Sequence, residues 1–158
     1  MLTKSVVLQE LSNAKIAHMR WVKRADHLIS GLPIAKEFIP LEATTCGFGR
    51  WLYGDMGNKL RISDRFRNNI EQMEFHHDNL HDAYSKIYRA YFVMPEKRSL
   101  LHRIATFNSK KVSAKEKDEA QQYFEQMKKS SEDLIVLLDR FEIEIREASS
   151  FTELNEMV

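Results

Sequence analysis

The chain contains one cysteine and six histidines, and the spacing of four of these residues suits metal chemistry. Cys46 lies in Thr44-Thr45-Cys46-Gly47-Phe48-Gly49-Arg50-Trp51-Leu52-Tyr53-Gly54, among glycines and aromatic rings, and His77 precedes His81 by four residues. Four residues is one helical turn, so these two imidazoles share a helix face. His18 breaks an otherwise apolar seam, Val7, Leu11, Ala14, His18, Trp21, Ala25, Leu28. His77 breaks a second, Phe66, Ile70, Met73, His77, Leu80, Tyr84, Ile87, Tyr91. A buried imidazole whose nitrogens lack partners loses about 1–3 kcal/mol for each unpaired group. Three inward-facing histidines and one cysteine from a separate segment meet that demand as a tetrahedral zinc site, because zinc favours four nitrogen and sulfur ligands. The candidate ligands are His18, Cys46, His77 and His81.

The remaining histidines act as internal controls. His27 follows His18 by nine residues, half a turn out of phase, and His76 is turned about 100° from His77. Both are expected to face solvent, and His102 is left unassigned. A second reading stays open, in which the histidines are hydrogen-bonded core residues, the cysteine is a small hydrophobe and the chain is a metal-free helical interaction domain.

The elements that would position these residues are helical. Five glycines and three prolines punctuate the chain, and no stretch alternates with a period of two. Breaks fall at Gly31/Pro33, Pro40, Gly54/Gly57 and Pro95, with a polar joint from Asn108 to Ser113. Three long helices are predicted, from about Thr3 to Ser30, Ser63 to Phe92 and Ala114 to Glu147. The third opens on Ser113-Ala-Lys-Glu116, a capping box, and carries the ordinary apolar stripe Ala120, Phe124, Met127, Ser131, Leu134, Leu138, Phe141, Ile145. A shorter amphipathic piece is expected from Lys97 to Phe107, and residues 149–158 are expected to fray.

The cysteine segment is expected to be a short helix capped by Thr44 or Thr45, with Cys46 at its N-terminus, where the dipole favours a thiolate. Phe48, Trp51 and Leu52 would wedge it into the bundle. Gly47 and Gly49 each cost a helix about 1 kcal/mol relative to alanine, and the expected reason for them is close approach of this segment to the bundle. Glu74 and Asp78 lie near enough to support a ligating imidazole.

Bulk properties narrow the function. The 158 residues fit one domain spanning 1–158, and one cysteine excludes an internal disulfide. No apolar run approaches the roughly 20 residues of a membrane span, and no signal peptide is read at the start, so a cytoplasmic location is expected. Lys+Arg 24 against Asp+Glu 23, interleaved along the chain, disfavours nucleic acid as a partner. Four protein ligands would leave no position for a reactive water, so no enzymatic activity is expected. A di-iron oxygen carrier would need more inward histidines and bridging carboxylates than these seams provide.

Cys46-Gly47-Phe48-Gly49-Arg50-Trp51-Leu52, preceded by His18 with Trp21 and followed by His77-x-x-x-His81, resembles the chemoreceptor zinc-binding (CZB) domain family. The likeness covers Leu8 to Arg89 in its motifs and most of the chain in architecture. It implies an all-α fold, an antiparallel four-helix bundle with three long helices and a short cysteine-bearing segment, and Zn²⁺ held by His18, Cys46, His77 and His81. It also implies a bacterial sensory module that responds to zinc availability or thiol oxidation and forms a homodimer. Members of the family are usually fused to a chemoreceptor signalling rod or a cyclic-di-GMP synthase. No such output is read in this sequence, so a stand-alone protein signalling through a partner, in a chemotaxis or cyclic-di-GMP type pathway, is the expectation.

Overall fold

The computed structural model describes residues 3–32, 34, 40–93 and 112–148, and within them every regular element is helical. Helix α1 spans Lys4–Ile29, α2 Gly47–Leu52, α3 Asp55–Ile62, α4 Arg67–Tyr88 and α5 Ala114–Glu147. A 3-10 turn, Ala43–Thr45, precedes α2, and a π-helical turn, Arg89–Val93, extends α4.

Local sequence accounts for most of the helix ends. The Thr3 hydroxyl accepts from the Val6 N–H and caps α1. Gly31 leaves its other end at φ 84°, a left-handed conformation that glycine adopts without steric cost. Ser113 and Glu116 form the reciprocal capping box at the start of α5. The second long helix differs from the expected Ser63 to Phe92. Residues 63–66 form a turn in which the Ser63 carbonyl accepts from the Phe66 and Arg67 N–H groups, so regular α-helix begins at Arg67.

Helix α3 was not legible as a helix, because Gly54 and Gly57 read as breaks. Gly57 instead lies inside it, and a Cβ there would collide with the Leu52 carbonyl oxygen. The glycine lets the backbone of α3 close onto the end of α2. The stretch from Lys97 to Phe107, His102 and the tail 149–158 all lie outside the described residues.

Helix α5 packs against both α1 and α4. Lys15 reaches Asp139 and Glu142, and Lys4 reaches the Arg146 carbonyl, so α1 and α5 run antiparallel. Asn69 bonds Glu144 and Lys86 lies over the Tyr123 ring, so α4 and α5 are antiparallel as well. Helices α1 and α4 therefore point the same way, which sets His18 beside His77.

The core divides into two apolar clusters. One gathers Leu11, Leu52, Ile70, Met73, Leu138 and Phe141. The other gathers Trp21, Leu80, Tyr84, Ile87, Phe124 and Met127. Burying one such side chain is worth about 1.5–3 kcal/mol. The buried polar side chains among the described residues are His18, His77, His81 and Ser131; His18, His77 and Ser131 fall along their helices between residues of the two clusters, and His81 lies one turn beyond His77, at the edge of the second. A polar layer thus interrupts the hydrophobic core.

Candidate metal centre

Two imidazoles in this layer are oriented by backbone carbonyls, one on its own helix and one from the segment that precedes α2. His18 Nδ1 lies 2.7 Å from the Ala14 carbonyl oxygen. A carbonyl only accepts, so Nδ1 bears the proton and Nε2 keeps its lone pair. His81 is fixed in the same way by the Leu41 carbonyl, 3.2 Å from Nδ1, and its Nε2 is buried with no hydrogen-bond partner. His77 is fully buried, with Nε2 3.2 Å from Cys46 Sγ and Nδ1 unpartnered.

Cys46 is the N-cap of α2, and its sulfur accepts from the Gly49 N–H at 3.1 Å. This corrects the expectation that a threonine caps the helix. Thr45 instead turns its hydroxyl back to the Glu42 carbonyl. Gly49 has a specific reason, since a Cβ there would meet the Ala43 carbonyl oxygen. The close approach is to the preceding turn, not to the long helices. Around Gly47 there is open space, so close packing does not account for that glycine. Phe48, Trp51 and Leu52 are buried, as the wedge requires.

One donor atom from each of Cys46, His77 and His81 lies within 4.8 Å of the others. A tetrahedral zinc shell with nitrogens at 2.0–2.1 Å and sulfur at 2.3 Å has edges of about 3.3–3.6 Å. The Cys46–His77 pair, at 3.2 Å, already has this spacing, and the set as a whole lies within 4.8 Å. The His18 ring stands edge-on to His77 with centroids 5.4 Å apart, beside the close set and on its α1 side. The residues therefore fit a zinc ion chemically, with one sulfur and neutral imidazoles, and the orphaned Nε2 of His81 is a buried acceptor with no protein donor to satisfy it.

Burial sets the protonation of the layer. It pushes His18 down to about 4, against the Ala14 carbonyl, which favours the charged form. Burial and the neighbouring His81 and His18 push His77 down to about 3. His81 is also lowered by burial. All three are neutral near pH 7, the form that ligates a metal. For Cys46 the helix N-terminus does not prevail in the metal-free protein. Burial raises the thiol, and the Gly49 and Phe48 N–H groups and Arg50 oppose it only in part.

The carboxylates near the site have other partners. Glu74 pairs with Arg61 at 2.8 Å, and Asp78 accepts from the Tyr53 hydroxyl at 2.6 Å. The groups that orient the histidines are backbone carbonyls, which side-chain patterns do not reveal. His27 and His76 stand outside the site, as expected, but are half-buried, and His76 lies 3.7 Å from Asp133 of α5.

No described helix is long and apolar enough to cross a membrane. Comparison with curated proteins and with solved structures returned no match. Residues 18–88, a span that begins at His18 and contains Cys46, His77 and His81, match the family model of the chemoreceptor zinc-binding domain.

Proposed function

We propose that the chain binds one zinc ion through His18, Cys46, His77 and His81 and works as a sensory or regulatory module. The observation that carries this reading is the convergence of Cys46, His77 and His81, from α4 and the start of α2, with a buried and unpartnered His81 Nε2 among them. His18 completes the set from α1. In this reading α2 and α3 together stand as the fourth member of a four-helix bundle.

Bound zinc supplies a Lewis-acidic cross-link and depresses the thiol pKa by coordination. The chain's own residues do the rest. Four protein donors leave no place for a reactive water, so the module is not an enzyme. Ala14 and Leu41 hold two imidazoles in the tautomer that presents Nε2. Cys46 is the one oxidisable donor, and it lies at the point where the 3-10 turn passes into α2. Two inputs follow. Zinc availability changes whether α1, α2 and α4 are tied together, and a peroxide that converts the Cys46 thiolate to a sulfenate, releasing water or an alcohol, weakens the tie from α2.

The output passes through a signalling partner in the cytoplasm, in a chemotaxis or cyclic-di-GMP type pathway, and the chain acts as a homodimer. Apolar surface suited to such an interface exists on α5, where Val136 and Ile143 are exposed two turns apart. Zinc content of the protein purified without added metal tests the reading, measured beside Cys46→Ser and His77→Ala. About one zinc per chain, lost in both variants, is expected. A metal-free wild type would leave the plain helical interaction domain instead.

A further inference from the structure

A cleft of about 790 Å³ opens between α1 and α2, and its floor includes His18, Cys46 and His81. Its volume lies within the range of about 300–1,000 Å³ that small-molecule sites occupy. The remaining walls combine two kinds of side chain. Trp21, Phe48 and Trp51 supply buried aromatic surface, and both indole Nε1 groups are buried without a hydrogen-bond acceptor. Arg20, Arg24 and Arg50 supply cationic groups, against Glu10 as the one acidic side chain in the lining.

The arginines are placed for more than solvation. Arg20 and Arg24 are one turn apart on α1, so their side chains leave the same helix face. Arg50 approaches from α2, where one of its nitrogens donates to the Thr45 carbonyl at 2.6 Å. A guanidinium has five N–H donors in a planar fork matched to carboxylate and sulfonate oxygens. Gly47, also in the lining, is exposed, and a side chain begun there would meet nothing within 4 Å, so bulk can be added at this wall without a clash.

We propose that this cleft is a binding site for a small organic anion with an aromatic or other planar apolar body, its acidic group taken by Arg20, Arg24 and Arg50 and its body laid against Trp21, Phe48 and Trp51. The site stands on the cleft and does not require zinc. Because His18, Cys46 and His81 belong to both, an anion in the cleft and an ion at the donor cluster change each other's affinity by the same factor. The module would then read two chemical inputs at one place.

The chain has two tryptophans, and both line the cleft, so their indole N–H signals in a ¹H–¹⁵N spectrum report on it directly. Naphthalene-1-sulfonate is titrated into the full-length protein as purified, with neutral 1-naphthalenemethanol and inorganic sulfate as parallel arms. The sulfonate is expected to shift both indole signals saturably and to bind at least about fivefold more tightly than the alcohol, the worth of one ion pair of about 1 kcal/mol. Arg20→Gln and Arg50→Gln should each weaken it about two- to fivefold. Gly47→Leu should abolish the shifts by filling the cleft, and Ala17→Leu, at an exposed lining position on α1, serves where near-UV circular dichroism shows the first variant misfolded. Absence of a saturable shift with the sulfonate, equal affinity for the alcohol, or binding that survives the filled cleft would overturn the proposal. Zinc content measured on the same samples keeps this outcome separate from that of the metal site.

Discussion

Cys46 Sγ lies 3.2 Å from His77 Nε2, although 31 residues separate them in the chain. The contact joins the N-cap of a six-residue helix to the middle of a 22-residue one. Helix α2 is too short to be stable alone, so its position depends on what holds its ends. At one end is the sulfur, and at the other the Tyr53 hydroxyl donates to Asp78. Both anchors lead to α4, on adjacent residues.

The two glycines beside the cysteine should respond differently to substitution. Gly49→Ala places a methyl against the Ala43 carbonyl oxygen and is expected to destabilise the protein by about 1–3 kcal/mol, as overpacking does, with weaker zinc retention. Gly47→Ala meets open space and should be neutral or stabilising by up to about 1 kcal/mol through helix propensity. Chemical denaturation of both variants, with metal content alongside, checks the contrast.

Acid should unfold the metal-free protein early. His18 at about 4 and His77 at about 3 both lie below the unfolded value of 6.5. The unfolded chain therefore binds more protons between those values and 6.5, and the stability is fully present above pH 6.5 and is lost as pH falls. Each such histidine steepens the loss by about 1.4 kcal/mol per pH unit. Denaturation midpoints of the chelated protein should hold from pH 7.5 to about 6.5 and then decline steadily to pH 5, and a flat profile over the lower range would show that these imidazoles are not buried in the neutral form.

Oxidation at the sulfur should act locally. Stoichiometric peroxide applied to the zinc-loaded protein is expected to modify Cys46 and to raise hydrogen exchange from Thr44 to Tyr53, with the buried middle of α5 unaffected. Mass spectrometry that confirms the modified thiol while exchange in this segment stays unchanged would count against oxidant as an input.

The second anchor of α2 can be removed without touching a donor. Tyr53→Phe deletes the hydroxyl that Asp78 accepts from and should cost about 0.5–1.5 kcal/mol. Zinc is expected to remain bound, but exchange at the C-terminal end of α2 should rise. Loss of metal in this variant would mean that the tyrosine, and not the thiolate, fixes the helix.

The seams of α1, α4 and α5 were readable because each buries a continuous apolar stripe at helical spacing, and the histidines that interrupt two of them are the buried ones. Cys46 was readable as a separate contributor because glycines and aromatics marked its segment. What the sequence hid was set by backbone geometry. The role of Gly57 depends on how closely α3 passes the end of α2. Likewise, Ala14 and Leu41 orient histidines through carbonyls, which every residue possesses and no pattern distinguishes. The thiol's own capping of α2 was missed because two threonines offered the more familiar cap.

In the proposed centre one sulfur and three imidazoles share one zinc ion. X-ray absorption at the zinc edge on protein purified without added metal tests it most directly. About one zinc per chain is expected, with roughly three nitrogens at 2.0–2.1 Å and one sulfur near 2.3 Å. A zinc-free protein, or a shell of light atoms with no sulfur, would contradict it.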